Sequence, residues 1–161
     1  MLFFKNLLNR LKNEKVISSS VQFDVQAIIQ GGPCNVKQSR FIKAALQKYS
    51  KIILIFDADG PENVINKTNQ MKKHIPRNSE SLISIVVLDH EIEEWICKSM
   101  KIKFTTKPHK ELDHHCRKIS NNRKGYFKSN LIEYIDKIDI QHLTKDSNYS
   151  FSKFINILNS N

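Results

Sequence analysis

Asp57 and Asp59 stand one residue apart directly behind the apolar run Ile52–Phe56, and Gly60-Pro61 follows them. A short apolar run closed by turn residues predicts a buried strand. In open α/β sheets, ligands bind beyond the carboxyl ends of such strands. Two carboxylates there suit Mg²⁺ (or Mn²⁺), because hard divalent ions take oxygen ligands. The same D-x-D-G also suits a plain loop in which aspartate forms the turn and caps the backbone. A second acidic group, Glu91, Glu93 and Glu94, follows the apolar run Ser81–Leu88. In the first turn of a helix these carboxylates complement the positive end of the dipole, which is the preferred reading for Glu94. Asp89 is then the expected N-cap. His90, at the same strand end, reads equally as a functional histidine or a satisfied polar side chain.

Other chemistry-bearing residues are less informative. His114-His115-Cys116 invites a zinc reading, but adjacent residues point to different sides of a helix, and only His109 and Cys97 lie near in sequence. Gly31-Gly32 suits either a close phosphate approach or a tight turn at positive φ. The three cysteines, Cys34, Cys97 and Cys116, are widely spaced and include no CxxC, which argues against a disulfide framework.

Charge adds a partner. The 161-residue chain carries 26 Lys and Arg against 16 Asp and Glu, a formal net charge of +10. Residues 96–130 alone hold ten basic side chains against two acids. Lys98, Lys101, Lys103, Arg117, Lys118, Arg123, Lys124 and Lys128 are the candidates for holding a nucleic-acid backbone. The competing reading is a Lys- and Asn-rich composition that leaves solvated lysines everywhere. No apolar run reaches the length of a membrane span, and the N-terminus has too short an apolar block for a signal peptide. The expectation is a cytoplasmic protein.

The elements that must position these residues follow from periodicity. Phe3, Phe4, Leu7, Leu8 and Leu11 fall at helical spacing across Leu2–Leu11. Val21–Ile29 alternates apolar and polar residues and predicts a strand with one less buried face. Helices are expected at about 36–49 and 62–74, the latter stopped near Pro76, with buried strands at 51–56 and 81–88. Ile92, Trp95 and Ile96 share a helix face and read as core. Beyond Lys101, short helices are expected around 110–119, 128–135 and 150–158. Alternation of this kind predicts an α/β fold with a mostly parallel sheet, helices on both faces and short C-terminal helices. One domain spans 1–161, with 100–161 as a basic helical extension.

Three blocks together carry a family resemblance: I-I-Q-G-G-P-C-N-V, I-L-I-F-D-A-D-G, and V-V-L-D-H-E-I-E-E-W-I. They resemble the small stand-alone Toprim proteins related to the OLD-type nucleases. Tyr126-Phe127-Lys128 and Ser150-Phe151-Ser152-Lys153-Phe154 look like that group's closing stretch. The resemblance implies a Toprim fold with Rossmann-type layering and Mg²⁺-dependent phosphodiester chemistry. By position, Asp57 and Asp59 would ligate metal, and Glu91 and Glu93 match the family's later acids, which could complete a second-shell or second-metal set. The family's first strand and its Glu have no counterpart here; Met1 already falls within what resembles the next helix. Three explanations stand: a start downstream of that strand, loss of the Glu, or an acid supplied elsewhere. Two further readings therefore accompany the nuclease. One is a catalytically inactive Toprim module that binds nucleic acid or a protein, with a second copy or a partner completing the sheet. The other is a phosphatase, since Phe56-Asp57-Ala58-Asp59-Gly60 also resembles the first motif of the haloacid-dehalogenase family, although Pro61 stands where that family has Thr.

Overall fold

The two apolar runs become strands β1 (Ile52–Asp57) and β2 (Ile83–Leu88). They pair in parallel, in register from Ile52 opposite Ile83 to Asp57 opposite Leu88. Both are built almost wholly from β-branched and large apolar residues, which suit a pleated, half-buried surface. The computed structural model describes residues 2–27 and 32–160. It divides into two units, Ala27–His90 around the sheet, and Met1–Gln26 with Glu91–Asn161, which is helical among its described residues. Mixed α/β structure with a two-stranded parallel sheet is therefore the observed architecture among the described residues.

In the sheet unit, α2 (Gln38–Leu46) precedes β1, and α3 (Val64–Lys72) connects β1 to β2 after a 3-10 turn at Pro61–Asn63. A second 3-10 stretch, Arg77–Leu82, leads into β2 behind Pro76. Ile42, Leu54, Met71 and Ile83, one from each of the four main elements, form one buried cluster. Leu46, Ile52, Phe56, Ile75 and Ile85 pack around them. His74 ties the unit together, one ring nitrogen 2.9 Å from Ser39 Oγ and the other 2.9 Å from the Pro33 carbonyl oxygen.

The helical unit contains α1 (Leu2–Asn13), α4 (Glu93–Ser99), α5 (Pro108–Ile119), a 3-10 run at Lys128–Lys137, α6 (Ile140–Leu143) and α7 (Ser150–Asn159). Phe3, Leu7, Leu8 and Leu11 of α1 are buried, as their spacing predicts. Trp95, fully buried, sits at the centre. Its ring meets Phe151 edge-on at 4.9 Å between centroids, Phe4 edge-on at 6.1 Å, and Phe154 tilted at 5.7 Å. Such edge contacts align ring quadrupoles and add to the burial itself. Arg10 donates to the Ile135 and Ile138 carbonyl oxygens, fastening α1 to the end of the 3-10 run. No helix among the described residues is long and apolar enough to cross a membrane.

Two expectations about elements are corrected. The alternating segment at Val21–Ile29 is not a strand over residues 21–27, and 28–29 lie outside the described residues. The alternation is nevertheless real in burial: Val21, Phe23 and Val25 are half-buried while Gln22, Asp24 and Gln26 are exposed. At Phe23 the cover includes α1, the Lys12 ammonium lying 4.8 Å from the ring centroid. A period of two reports which side is covered, not what the backbone bonds to. Asp89, in turn, is not a helix cap. The chain turns over residues 89–92 before α4 begins at Glu93, with Ile92 at the N-cap position.

Candidate functional site

The D-x-D loop is built by continuing the strand pairing past its last residue. Ala58 is fully buried, and its N–H donates to the Leu88 carbonyl oxygen at 2.8 Å. Gly60 N–H donates to the Asp89 carbonyl oxygen at 2.7 Å. Alternation about Ala58 leaves Asp57 and Asp59 both exposed. The turn needs special backbone: Asp59 has φ +59°, which aspartate tolerates better than most, and Gly60 has φ +142°. A Cβ at Gly60 would also lie 2.3 Å from Glu62 Oε1. Lys67, one turn into α3, pairs its ammonium with the Asp59 carboxylate and reaches the Asp57 carbonyl oxygen at 3.3 Å.

A Mg²⁺ or Mn²⁺ ion, which commonly takes only one or two carboxylates from protein and keeps its waters, would have these two aspartates as its donors here. Asp57 and Asp59 would hold it, with the Lys67 ammonium displaced from Asp59. Among the described residues no group of three or more His, Cys, Asp or Glu side chains converges as a metal cage.

Glu91 and Glu93 belong to the other unit and are otherwise engaged. Glu91 Oε1 accepts the His109 backbone N–H at 2.8 Å and the His109 Nδ1 proton, while Oε2 accepts from Lys128 Nζ at 3.1 Å. Burial alone would raise the Glu91 carboxyl pKa. The bonds from His109 and the Lys128 ammonium outweigh it and hold the group below the ordinary 4.5. Glu91 thus caps the first turn of α5 from outside the helix.

Glu93 is 1% exposed, and its Oε1 accepts from the buried Tyr126 hydroxyl at 2.7 Å. Its Oε2 has no hydrogen-bond partner among the described residues. Burial, followed by the neighbouring Glu93 and Glu91 carboxyls, pushes the Tyr126 hydroxyl well above its usual range. Burial and the same acids push the Cys97 thiol up to about 12, disfavouring its thiolate form.

Glu94 does fall in the first turn of α4, as expected, but its side chain is 1% exposed. Ser150 Oγ donates to Glu94 Oε1 at 3.1 Å and accepts from Trp95 Nε1 at 2.9 Å. The apolar cluster around Trp95 encloses this first turn, so local hydrogen bonds replace water.

Of the basic candidates, Lys101, Lys103, Lys118, Arg123 and Lys124 are exposed and form no ion pair among the described residues. Arg117 pairs with Asp113 at 2.9 Å and, with the Tyr126 N–H, holds that carboxyl below its usual range. Lys98 lies 3.4 Å from the Tyr149 ring centroid, and Lys128 is the Glu91 partner. The glycine pair is described only at Gly32, which has φ +52°; Gly31 lies outside the described residues.

Three engaged residues, Lys67, His109 and Tyr126, were not singled out by sequence as site residues. Lys67 had a local signal, a lysine one turn into the helix that returns past the acid loop. For His109 and Tyr126 nothing local pointed to their partners, which are 18 and 33 residues away. Set against known proteins, the chain matches no family model, no curated protein and no solved structure.

Proposed function

We infer that the chain binds nucleic acid through the basic surface of residues 96–130. The observation carrying this reading is that Lys101, Lys103, Lys118, Arg123 and Lys124 are exposed without an acid partner among the described residues. Unpaired cations on one segment repel each other and are released from that repulsion by a polyanion, which sheds counterions as it binds. Replacing Lys101, Lys118, Arg123 and Lys124 together by glutamine tests it. Fluorescence anisotropy with a short labelled oligonucleotide should show a large loss of affinity while far-UV circular dichroism is unchanged. Equal affinity of variant and parent rejects the reading.

A second reading is favoured by the exposed, conformationally specified loop at Asp57–Gly60: Mg²⁺-dependent phosphodiester chemistry. A cation held by Asp57 and Asp59 would activate a water or stabilise a leaving oxygen. The Toprim resemblance supports the same chemistry. Cleavage of single- or double-stranded DNA or RNA in Mn²⁺, lost in Asp57→Asn and Asp59→Asn, is its expected signature. Absence of cleavage in millimolar Mn²⁺ leaves the binding function alone.

A further inference from the structure

The segment between α5 and the 3-10 run is a pinned turn. Ser120 Oγ donates to the Lys124 carbonyl oxygen at 2.9 Å and accepts the Lys124 N–H at 3.0 Å. Asn122 N–H donates to the Arg117 carbonyl oxygen at 2.8 Å, and Arg123 N–H to that of Ser120 at 3.1 Å. Asn121 and Asn122 take left-handed φ values of 51° and 64°. Tyr126 N–H donates to Asp113 Oδ1 at 2.8 Å. Gly125 is packed so closely that a Cβ would stand 2.5 Å from Asp113 Oδ1 and 2.7 Å from an Arg117 guanidinium nitrogen.

Tyr126 turns inward and is buried, and Phe127, in extended backbone, is left 61% exposed. In sequence this open ring follows Lys118, Arg123 and Lys124, all exposed. No acid occurs between Arg117 and Lys128. A flat, exposed ring on a fixed backbone, with exposed cations near it in sequence, matches a ligand that alternates anionic groups with planar π-faces.

We propose that this turn is a single-stranded nucleic-acid subsite in which Phe127 stacks on an unpaired base while Lys118, Arg123 and Lys124 hold the adjoining phosphates. The inference rests on the nucleic-acid reading above and adds strandedness to it. Bases of a duplex are stacked on each other and offer no face to Phe127, whereas every unpaired base does, whatever its identity. An acidic protein surface would satisfy the cations but has no systematic need of the ring.

The test compares parent, Phe127→Ala and Phe127→Trp for binding to labelled oligothymidylate and to a duplex of equal length, at one fixed salt concentration. Phe127→Ala should weaken single-strand binding by at least about fivefold, the scale of one lost base–aromatic stack. It should leave duplex binding essentially unchanged. Phe127→Trp should retain single-strand affinity, and the emission of the added indole should be quenched by the oligonucleotide. Parent-like binding of the single strand by Phe127→Ala, or equal losses on single strand and duplex, overturns the subsite while the broader function stands. Failure of the parent to bind either polyanion overturns both.

Discussion

Replacing Tyr126 by phenylalanine removes one oxygen from a contact in which both partners are buried. The Tyr126 hydroxyl donates to Glu93 Oε1 at 2.7 Å, the residues being 6% and 1% exposed. Glu93 Oε2 has no other donor among the described residues to share, so the variant leaves the carboxyl without a partner there. Stranding a buried polar atom costs about 1–3 kcal/mol. The apolar ring contacts survive, including the edge-on Tyr134 ring at 5.5 Å, so little packing is lost. We therefore expect about 2 kcal/mol less stability, inside the stranding range. Urea denaturation is the assay, read as a shift in midpoint at constant slope. Replacing both partners, Glu93→Met with Tyr126→Phe, should cost much less than the sum of the single changes, because neither group is then stranded. A loss below about 0.5 kcal/mol for Tyr126→Phe alone would mean that water reaches Glu93 in solution, and would refute the buried network.

Three further outcomes follow from the same structure. Glu91 has a folded-state pKa below 4.5, so its contribution is fully present above that value and lost as pH falls through the lower folded one. Glu91→Gln should flatten the acid limb of a stability-versus-pH curve, and an unchanged limb would count against the His109–Lys128 contacts. Trp95→Ala should cost about 3–5 kcal/mol in the same urea assay, as large core truncations do. A cost below about 1.5 kcal/mol would move the centre of that core elsewhere. Lys67→Met should tighten Mn²⁺ binding about two- to fivefold, the scale of a largely exposed ion pair. Electron paramagnetic resonance of free Mn²⁺ reads this directly, and equal affinities would show that Lys67 and the metal do not compete.

Most elements were legible because their signals are local. Ile52–Phe56 is an uninterrupted apolar run and Ser81–Leu88 one broken only by Ser84, and they emerge as β1 and β2 within one or two residues. The i, i+4 spacing of Phe3, Leu7 and Leu11 sufficed for α1. What could not be read locally was the fate of the acids after β2. The burial of Glu93 and Glu94 leaves no local mark because their partners, Tyr126 and Ser150, lie 33 and 56 residues downstream. Burial of a charge-bearing residue is decided by tertiary neighbours, and spacing within one helix turn carries no record of them. Val21–Gln26 failed in a different way, since its two-residue period marks a covered side whether or not another strand is beside it.

In the proposed function, unpaired cations between residues 96 and 130 hold a nucleic-acid backbone. The salt dependence of oligonucleotide affinity tests it most directly, in the parent and in the variant with Lys101, Lys118, Arg123 and Lys124 changed to glutamine. Affinity of the parent should fall steeply and linearly on a log–log plot as salt rises. The four substitutions should make that slope shallower by roughly 3, since each phosphate contact contributes about 0.7–0.9. A parent slope near zero, or identical slopes for both proteins, would contradict the claim.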